Sequence, residues 1–433
     1  MKRSPKGVQI VFSGMGLTHF GGLYLLQRFF QRIKLRSLLS QYLYFPQRNN
    51  RYTVTEEILA LIYPISLGLG RIETTHILKY NGVFQYITGL PIYPNATTLR
   101  RFLLRMAPVA LPKLRKLHDR LLFFMMQDPK PPSKVIFDLD STVLTLYGKQ
   151  EMARIGYNPH KEGRPSYHPL LCFNGITKDF WHGELRPGDI HTATGTVELL
   201  TASFAKLPLS VKTVRVRADK GFYDHKTIEF LESRKAQFAI VAKLTEPIKR
   251  TLSALGYRFH YSGIETSEFM YQPMRWKKRY RFIVIRRPIP EDPTEQLSLF
   301  SLGRYSYQVI VTNIRLDPLN TWKFYNGRAS VELIIKELKG DYPLGKIPTK
   351  YFSANEAYFH ILLFSYNLIN WFKRFCLPKE FQTMTLNTLR TRILLIPGEL
   401  IKSKNKRTLK LPVNFLYKHA FEYAMKKIDK FKQ

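Results

Sequence analysis

Acidic side chains are the minority in this chain, 32 Asp plus Glu against 68 Lys plus Arg, so their placement is informative. Asp138 and Asp140 stand two apart in KVIFDLDST, a spacing that puts both on one face of a strand. Asp219 closes another strand-like stretch, VRVRADKG, at the carboxyl end where α/β folds build their sites. A third stretch, FYNGRASVELIIKELKG (324–340), reads as a helix with two sides. Arg328, Glu332, Lys336 and Lys339 share one of them, and Val331, Ile334, Ile335 and Leu338 the other. Taken alone, the charged side is a solvated stripe of i,i+4 pairs worth roughly 0.2–0.5 kcal/mol each.

Joined to the aspartates, that stripe gains chemistry. Three carboxylates gathered in so basic a chain repel one another unless a cation lies between them, and hard oxygen ligands select Mg²⁺ or Mn²⁺. Two such ions activate a water or a 3′-hydroxyl and stabilise the departing oxygen of a phosphodiester. Asp140 is the better candidate for the first acid. Asp138 has the competing reading of a strand-end acid bonded to backbone, and the choice between them stays open. His168 and His225 can approach such a site, although lone histidines more often serve structure. Trp276 and Trp322 offer faces for a displaced base or fill a core.

These side chains need elements to hold them. Strands are expected at 134–146, 167–175 and 179–189, a helix at 192–207 capped by Thr192 or Thr194, a strand at 211–221, a helix at 224–235 and a strand at 238–244. Three strands, helix, strand, helix, strand is the order of an RNase H-like α/β core. The alternating stretch 246–322, with a loop at EDPTEQLSLFSLG, reads as a β-rich insertion, and AYFHILLFSYNLINWF (357–372) as a buried helix, being shorter than a bilayer span and interrupted by His360, Asn367 and Asn370. Before the Pro-rich linker DPKPPSK (128–134) lie short helices at 22–41, 53–68, 71–80, 95–106 and 112–127, the third and fourth punctuated as a helix-turn-helix assembly requires. Asn95 as N-cap would set Thr98, Arg100 and Arg101 on a short helix suited to DNA contact, against the plainer reading of a basic amphipathic helix. The division expected is a helical DNA-binding region (1–130), the core in two parts (131–245 and 323–375) around the insertion (246–322), and a basic C-terminal region (376–433) with strand-like pieces and a closing helix.

The chain's 433 residues exceed one ordinary core. Its formal charge of +36 is spread along the whole length, a field that favours polyanions, nucleic acid first among them. The opening MKRSPKGVQI lacks the apolar core of a secretory leader. Cys172 and Cys376 are too few for a disulfide framework or a four-ligand zinc site, so each reads as a small core residue of a reduced, intracellular protein.

Tyr325, Arg328, Glu332 and Lys339 fit Y-x2-R-x3-E-x6-K, and on this signature the chain resembles the DDE-type transposases of bacterial insertion sequences known by YREK. The likeness runs from about Lys134 to Phe375 through DLDST, GKQEMARIGYN, YHPLL and RADKGFYD, in the order that family shows. It implies an RNase H-like catalytic core interrupted by a β-rich insertion, with Asp140, Asp219 and Glu332 as a metal-binding triad and Tyr325, Arg328 and Lys339 holding phosphates. Ser141 departs from the acidic or threonine residue that many relatives carry after the first Asp. The activity implied is binding of terminal inverted repeats, cleavage at the element ends and joining of 3′-ends to target DNA. Two Mg²⁺ ions, with Mn²⁺ as substitute, and double-stranded DNA are implied too, as is a homodimer or higher synaptic complex in the cytoplasm, associated with the nucleoid and not with membrane. A catalytically inactive DNA-binding regulator and an RNase H-like nuclease without strand transfer are the rival readings.

Overall fold

Val135, Phe137 and Leu139 alternate along Lys134–Ser141 and are all buried, as expected of an inner strand. The computed structural model describes residues 10–46, 51–127, 130–159, 161–289, 300–302, 304–404 and 406–431. Most of the MKRSPKGVQI opening, Asp128 and Pro129 of the Pro-rich linker, and most of the loop expected at 291–303 lie outside the described residues. The chain divides into two compact units. One comprises Met1–Ala110, Asp341–Pro348 and Leu368–Gln433, and the other Leu111–Gly340 and Thr349–Asn367.

The second unit is α/β. Beside a small three-stranded sheet of Leu144–Thr145, Arg154–Ile155 and Pro165–Tyr167, its main strands are β1 (Lys134–Ser141), β2 (Leu170–Asn174), β3 (Phe180–Glu184), β4 (Thr213–Ala218), β5 (Gln237–Val241), β6 (Glu265–Tyr271), β7 (Tyr280–Pro288) and β8 (Tyr305–Thr312). Strands β1–β8 lie in one ten-stranded sheet in the order β6-β7-β8-β5-β4-β1-β2-β3, with Arg258–Phe259 beyond β6 and Phe300–Leu302 paired to β8. The β1–β4 and β4–β5 pairs are parallel, and β1–β2 and β2–β3 antiparallel. This mixed sheet, flanked by helices, is consistent with an RNase H-like core. Strands from the 246–322 stretch continue it, because β8 pairs antiparallel with β5 through Ile310↔Val241 and Thr312↔Ala239.

Helix α1 (Thr196–Phe204) packs on β2 and β3, and α2 (His225–Ser233) on β5. The first of these begins after Gly195 at φ +80, with no side-chain cap, so neither Thr192 nor Thr194 caps it. Asp224 caps α2 by accepting from the Lys226 and Thr227 amides. The stretch after β5 also holds a helix that the alternation concealed, α3 (Glu246–Ala254). Next come α4 (Pro318–Asn326), seated on β5, β6 and β7, and α5 (Ala329–Gly340), seated on β1.

The first unit is mainly helical. Lys34 at φ +49 breaks the expected 22–41 helix into Leu23–Arg32 and Leu35–Tyr42, Ile72–Tyr80 is a 3₁₀ helix, and a three-stranded sheet joins Leu17–Thr18 to the Gly398–Ser403 and Lys406–Lys410 strands. In place of the two short helices expected at 95–106 and 112–127 stands one helix, Ala96–Met126, running through Pro108 and Pro112. The buried helix expected at 357–372 is Phe352–Cys376. Among the described residues no helix is long and apolar enough to cross a membrane. Both cysteines are buried and unbridged.

Candidate active site

Asp140 reaches the end of β1 and Asp219 follows the last residue of β4, its parallel neighbour, so the sheet alone brings the two together. Arg328 stands between α4 and α5 and is buried. Its Nη2 lies 3.0 Å from Asp140 Oδ1 and 3.7 Å from Asp219 Oδ2, and its Nη1 donates to Glu332 Oε1 at 2.9 Å. The Nε donates to the Leu139 carbonyl at 3.3 Å, which ties the guanidinium to β1. The four apolar residues of α5 predicted to face inward, Val331, Ile334, Ile335 and Leu338, are all buried, leaving Glu332 exposed toward solvent.

Electrostatics follow from this geometry. Burial pushes the Asp140 carboxyl up to about 7, Arg328 opposes that rise, and Asp219 and Glu332 add to it. Burial works against the Arg328 charge, but Asp140 and its neighbours hold the guanidinium above its ordinary range. Lys339 comes from the same helix as Glu332; desolvation lowers its pKa and Asp140 opposes this. Tyr325 is buried among Ile283, Ile285 and Ile310, and burial lifts its hydroxyl to about 12.

Asp138 points to the same side of β1 as Asp140 yet has a different partner. Arg217, its register neighbour on β4, donates Nε and Nη2 to the two carboxylate oxygens. Its Nη1 donates to the Phe324 carbonyl at 2.8 Å, and the Phe324 ring lies 5.1 Å from the guanidinium carbon. Asp138 and Arg217 thus hook the end of α4, immediately before Tyr325 and Arg328. A Cβ at Gly327 would meet Arg217 Nη1 at 2.1 Å, and one at Gly175 would meet both members of the pair at 2.6 Å. Gly327 is right-handed, φ −57, so its glycine answers a close approach and not a turn. Arg217 was missed from sequence; its signal is a cation amid the buried strand VRVRA.

Ser141 donates its amide to Asp140 Oδ1 at 2.8 Å and links the site to a histidine through its hydroxyl. His168 Nδ1 donates to the Ile190 carbonyl at 3.0 Å, leaving Nε2 to accept the Ser141 hydroxyl at 3.1 Å, and burial keeps the imidazole pKa low. The His225 ring packs at a tilt against Trp276, which also meets Tyr223 and Tyr280, while the Trp322 indole donates to Gln308.

A family model, "Transposase DDE domain group 1", matches residues 2–433. The chain belongs to the DDE transposase domain family. No curated protein matches the chain. Among solved structures, the piggyBac transposase in its synaptic complex with hairpin DNA is similar at 12% identity over 88% of each chain, with a TM-score of 0.42.

For a DDE-domain chain the donor chemistry of this site is apt, since three carboxylates suit a hard divalent ion. Among the described residues no three His, Cys, Asp or Glu side chains are gathered tightly enough to hold one. The cation that the three acids surround is the wider, planar guanidinium of Arg328. Thr98, Arg100 and Arg101 lie in the first unit, on the opening turns of Ala96–Met126. Arg100 is engaged there, donating Nε to the Pro348 carbonyl at 2.9 Å and pairing with Glu73, whereas Arg101 is exposed.

Proposed function

We propose that this chain is an insertion-sequence transposase of the YREK kind, which binds terminal inverted repeats, cleaves at the element ends and joins the 3′-ends to target DNA. One observation carries the proposal: acids 79 and 113 residues apart in sequence meet around one guanidinium. In this reading Asp140, Asp219 and Glu332 hold Mg²⁺, or Mn²⁺ in its place. When bound, the ions supply the Lewis acid that polarises a phosphodiester and activates water or a 3′-hydroxyl. Arg328 presents a planar fork to a phosphate oxygen and Lys339 a point charge on the same helix face. Leu139, through its carbonyl, keeps that fork oriented, and Tyr325 anchors the turn in the core. The second unit carries the chemistry, the first unit recognises the ends through Thr98 and Arg101, and two copies act together because two ends must be joined.

The test uses the full chain, Mg²⁺ and duplexes carrying the inverted repeats that flank the gene. Nicking at the repeat boundary and joining of precut 3′-ends to plasmid are expected, and both vanish in Asp140→Ala, Asp219→Ala and Glu332→Ala while end binding persists. Binding without nicking overturns the proposal in favour of a regulator. Nicking without joining does so in favour of a nuclease.

A further inference from the structure

The basic C-terminal stretch folds as an antiparallel ribbon in the first unit. Gly398–Ser403 pairs with Lys406–Lys410 through Leu400↔Leu409, Lys402↔Arg407 and Ser403↔Lys406. Its base is secured. Leu17 and Thr18 add a third strand there, the Leu400 amide donates to the Gly16 carbonyl at 2.7 Å, and Gly16, at φ +74, lies where a Cβ would strike the Leu400 carbonyl at 2.5 Å. Leu400 and Leu409 are half-buried. Beyond this base the third strand stops, and every described residue from Lys402 to Thr408 is exposed.

Charge is concentrated on that outer part. KSKNKRTLK places Lys402, Lys404, Lys406, Arg407 and Lys410 on the ribbon, and its single acid, Glu399, sits at the base. Arg407 lies over the Tyr86 ring at 4.2 Å, which helps to brace the ribbon. No hydrogen bond or ion pair among the described residues engages the side chains of Lys402, Lys404, Lys406 or Lys410. The register sets Lys402 opposite Arg407, a like-charge pair that destabilises a two-stranded element, and Lys406 opposite Ser403, while only Lys410 lies across from an acid, Glu399. The arrangement makes sense when a polyanion supplies the missing charge.

We infer that the ribbon Gly398–Lys410 is a duplex-DNA contact, separate from the acidic site and from the Thr98–Arg101 helix turn. A two-stranded β-ribbon fits the B-DNA major groove, about 12 Å wide. Exposed lysines meet phosphates as point charges, and the Ser403 and Thr408 hydroxyls are additional donors. The exposed segment Lys402–Thr408 carries no aromatic or large aliphatic side chain, which distinguishes it from an element made to enter a lipid surface.

The inference rests on the DNA-joining function proposed above, and the test separates the two. Affinity of the full chain for a fluorescent duplex is measured between 50 and 200 mM salt for four proteins. They are the parent, Lys402→Gln/Lys404→Gln/Lys406→Gln/Lys410→Gln, the matching quadruple Lys→Arg variant, and a charge-matched control with Lys212, Lys235, Lys243 and Lys346 changed to Gln. The Gln ribbon variant is expected to unfold at the parent temperature, to bind at least about tenfold more weakly, and to show a log K against log [salt] slope shallower by about 0.9 for each phosphate it no longer neutralises. The Arg variant and the control keep the parent slope. An unchanged affinity and slope in the Gln ribbon variant overturns the inference, as does an equal loss in the control, which would make the effect one of overall field. A parent chain that binds duplex without salt dependence instead overturns the function on which the inference rests.

Discussion

Arg217 meets Asp138 edge to edge, with Nε 2.6 Å from Oδ1 and Nη2 2.7 Å from Oδ2, both side chains buried. The pair separates two acids that sequence spacing makes equivalent. Asp138→Ala leaves a buried guanidinium without its counter-charge, and a loss of about 3–5 kcal/mol in urea unfolding is expected. Asp140→Asn leaves Arg328 with Asp219 and Glu332, so its stability loss is smaller while cleavage is abolished. Equal destabilisation by the two substitutions would contradict this assignment.

Gly327 gives a prediction opposite in sign to the usual one. In right-handed helical backbone, Gly→Ala normally stabilises by roughly 0.5–1 kcal/mol. Here the new methyl would meet Arg217 Nη1 at 2.1 Å. Gly327→Ala is therefore expected to lower the denaturation midpoint by the equivalent of about 1–3 kcal/mol, and a raised midpoint would show that Arg217 yields freely.

Histidine burial sets the acid response of the second unit. Burial lowers His118 and His182 to about 3 and His360 well below its usual value, with nearby Lys206 adding to each. In the unfolded chain these groups titrate near 6.5. Between pH 7.5 and 5.5 the unfolded state takes up protons that the folded histidines refuse, so each histidine lowers stability as pH falls by up to about 1.4 kcal/mol per pH unit. Asp140, held at about 7 when folded, takes up a proton that its unfolded form does not and offsets one of the three. Urea titrations at pH 7.5, 6.5 and 5.5 check the slope, and His182→Gln should remove the share of one proton.

Arg100 and Arg101 are neighbours with different expected roles. Arg101→Ala should weaken duplex binding uniformly across sequences and reduce the salt slope by about 1. Arg100→Ala should leave the slope intact and lower the melting temperature, because its side chain is engaged with Glu73 and Pro348. Anisotropy and calorimetry on both variants distinguish the two effects.

Much of the candidate site was legible because it depends on local periodicity. Two aspartates on one strand face, a third at the end of a parallel neighbour and a helix with one apolar side each follow from repeats of two or 3.6 residues. Partners across the sheet were not legible. Nothing local tells Asp138 that its register neighbour is Arg217, or tells β5 that it will pair with a strand some seventy residues away. The Ala96–Met126 helix failed for a different reason. A proline inside a helix costs about 3 kcal/mol, but Phe102, Leu103, Met106, Ala110, Leu114 and Leu117 are buried along one helix, and that burial outweighs the two breaks.

The pairing of β8 with β5 also bears on how the chain is synthesised. β5 carries Phe238, Ala239 and Ile240 fully buried, and the side of it away from β4 is hydrogen-bonded by the segment Val309–Asn313. A nascent chain that has not yet emerged as far as Thr312 holds this apolar strand as a bare edge, a template for pairing with other chains. Deleting 246–312 would leave the same edge in the finished protein. The inserted strands are thus a condition for keeping the strand beside Asp219 out of aggregates.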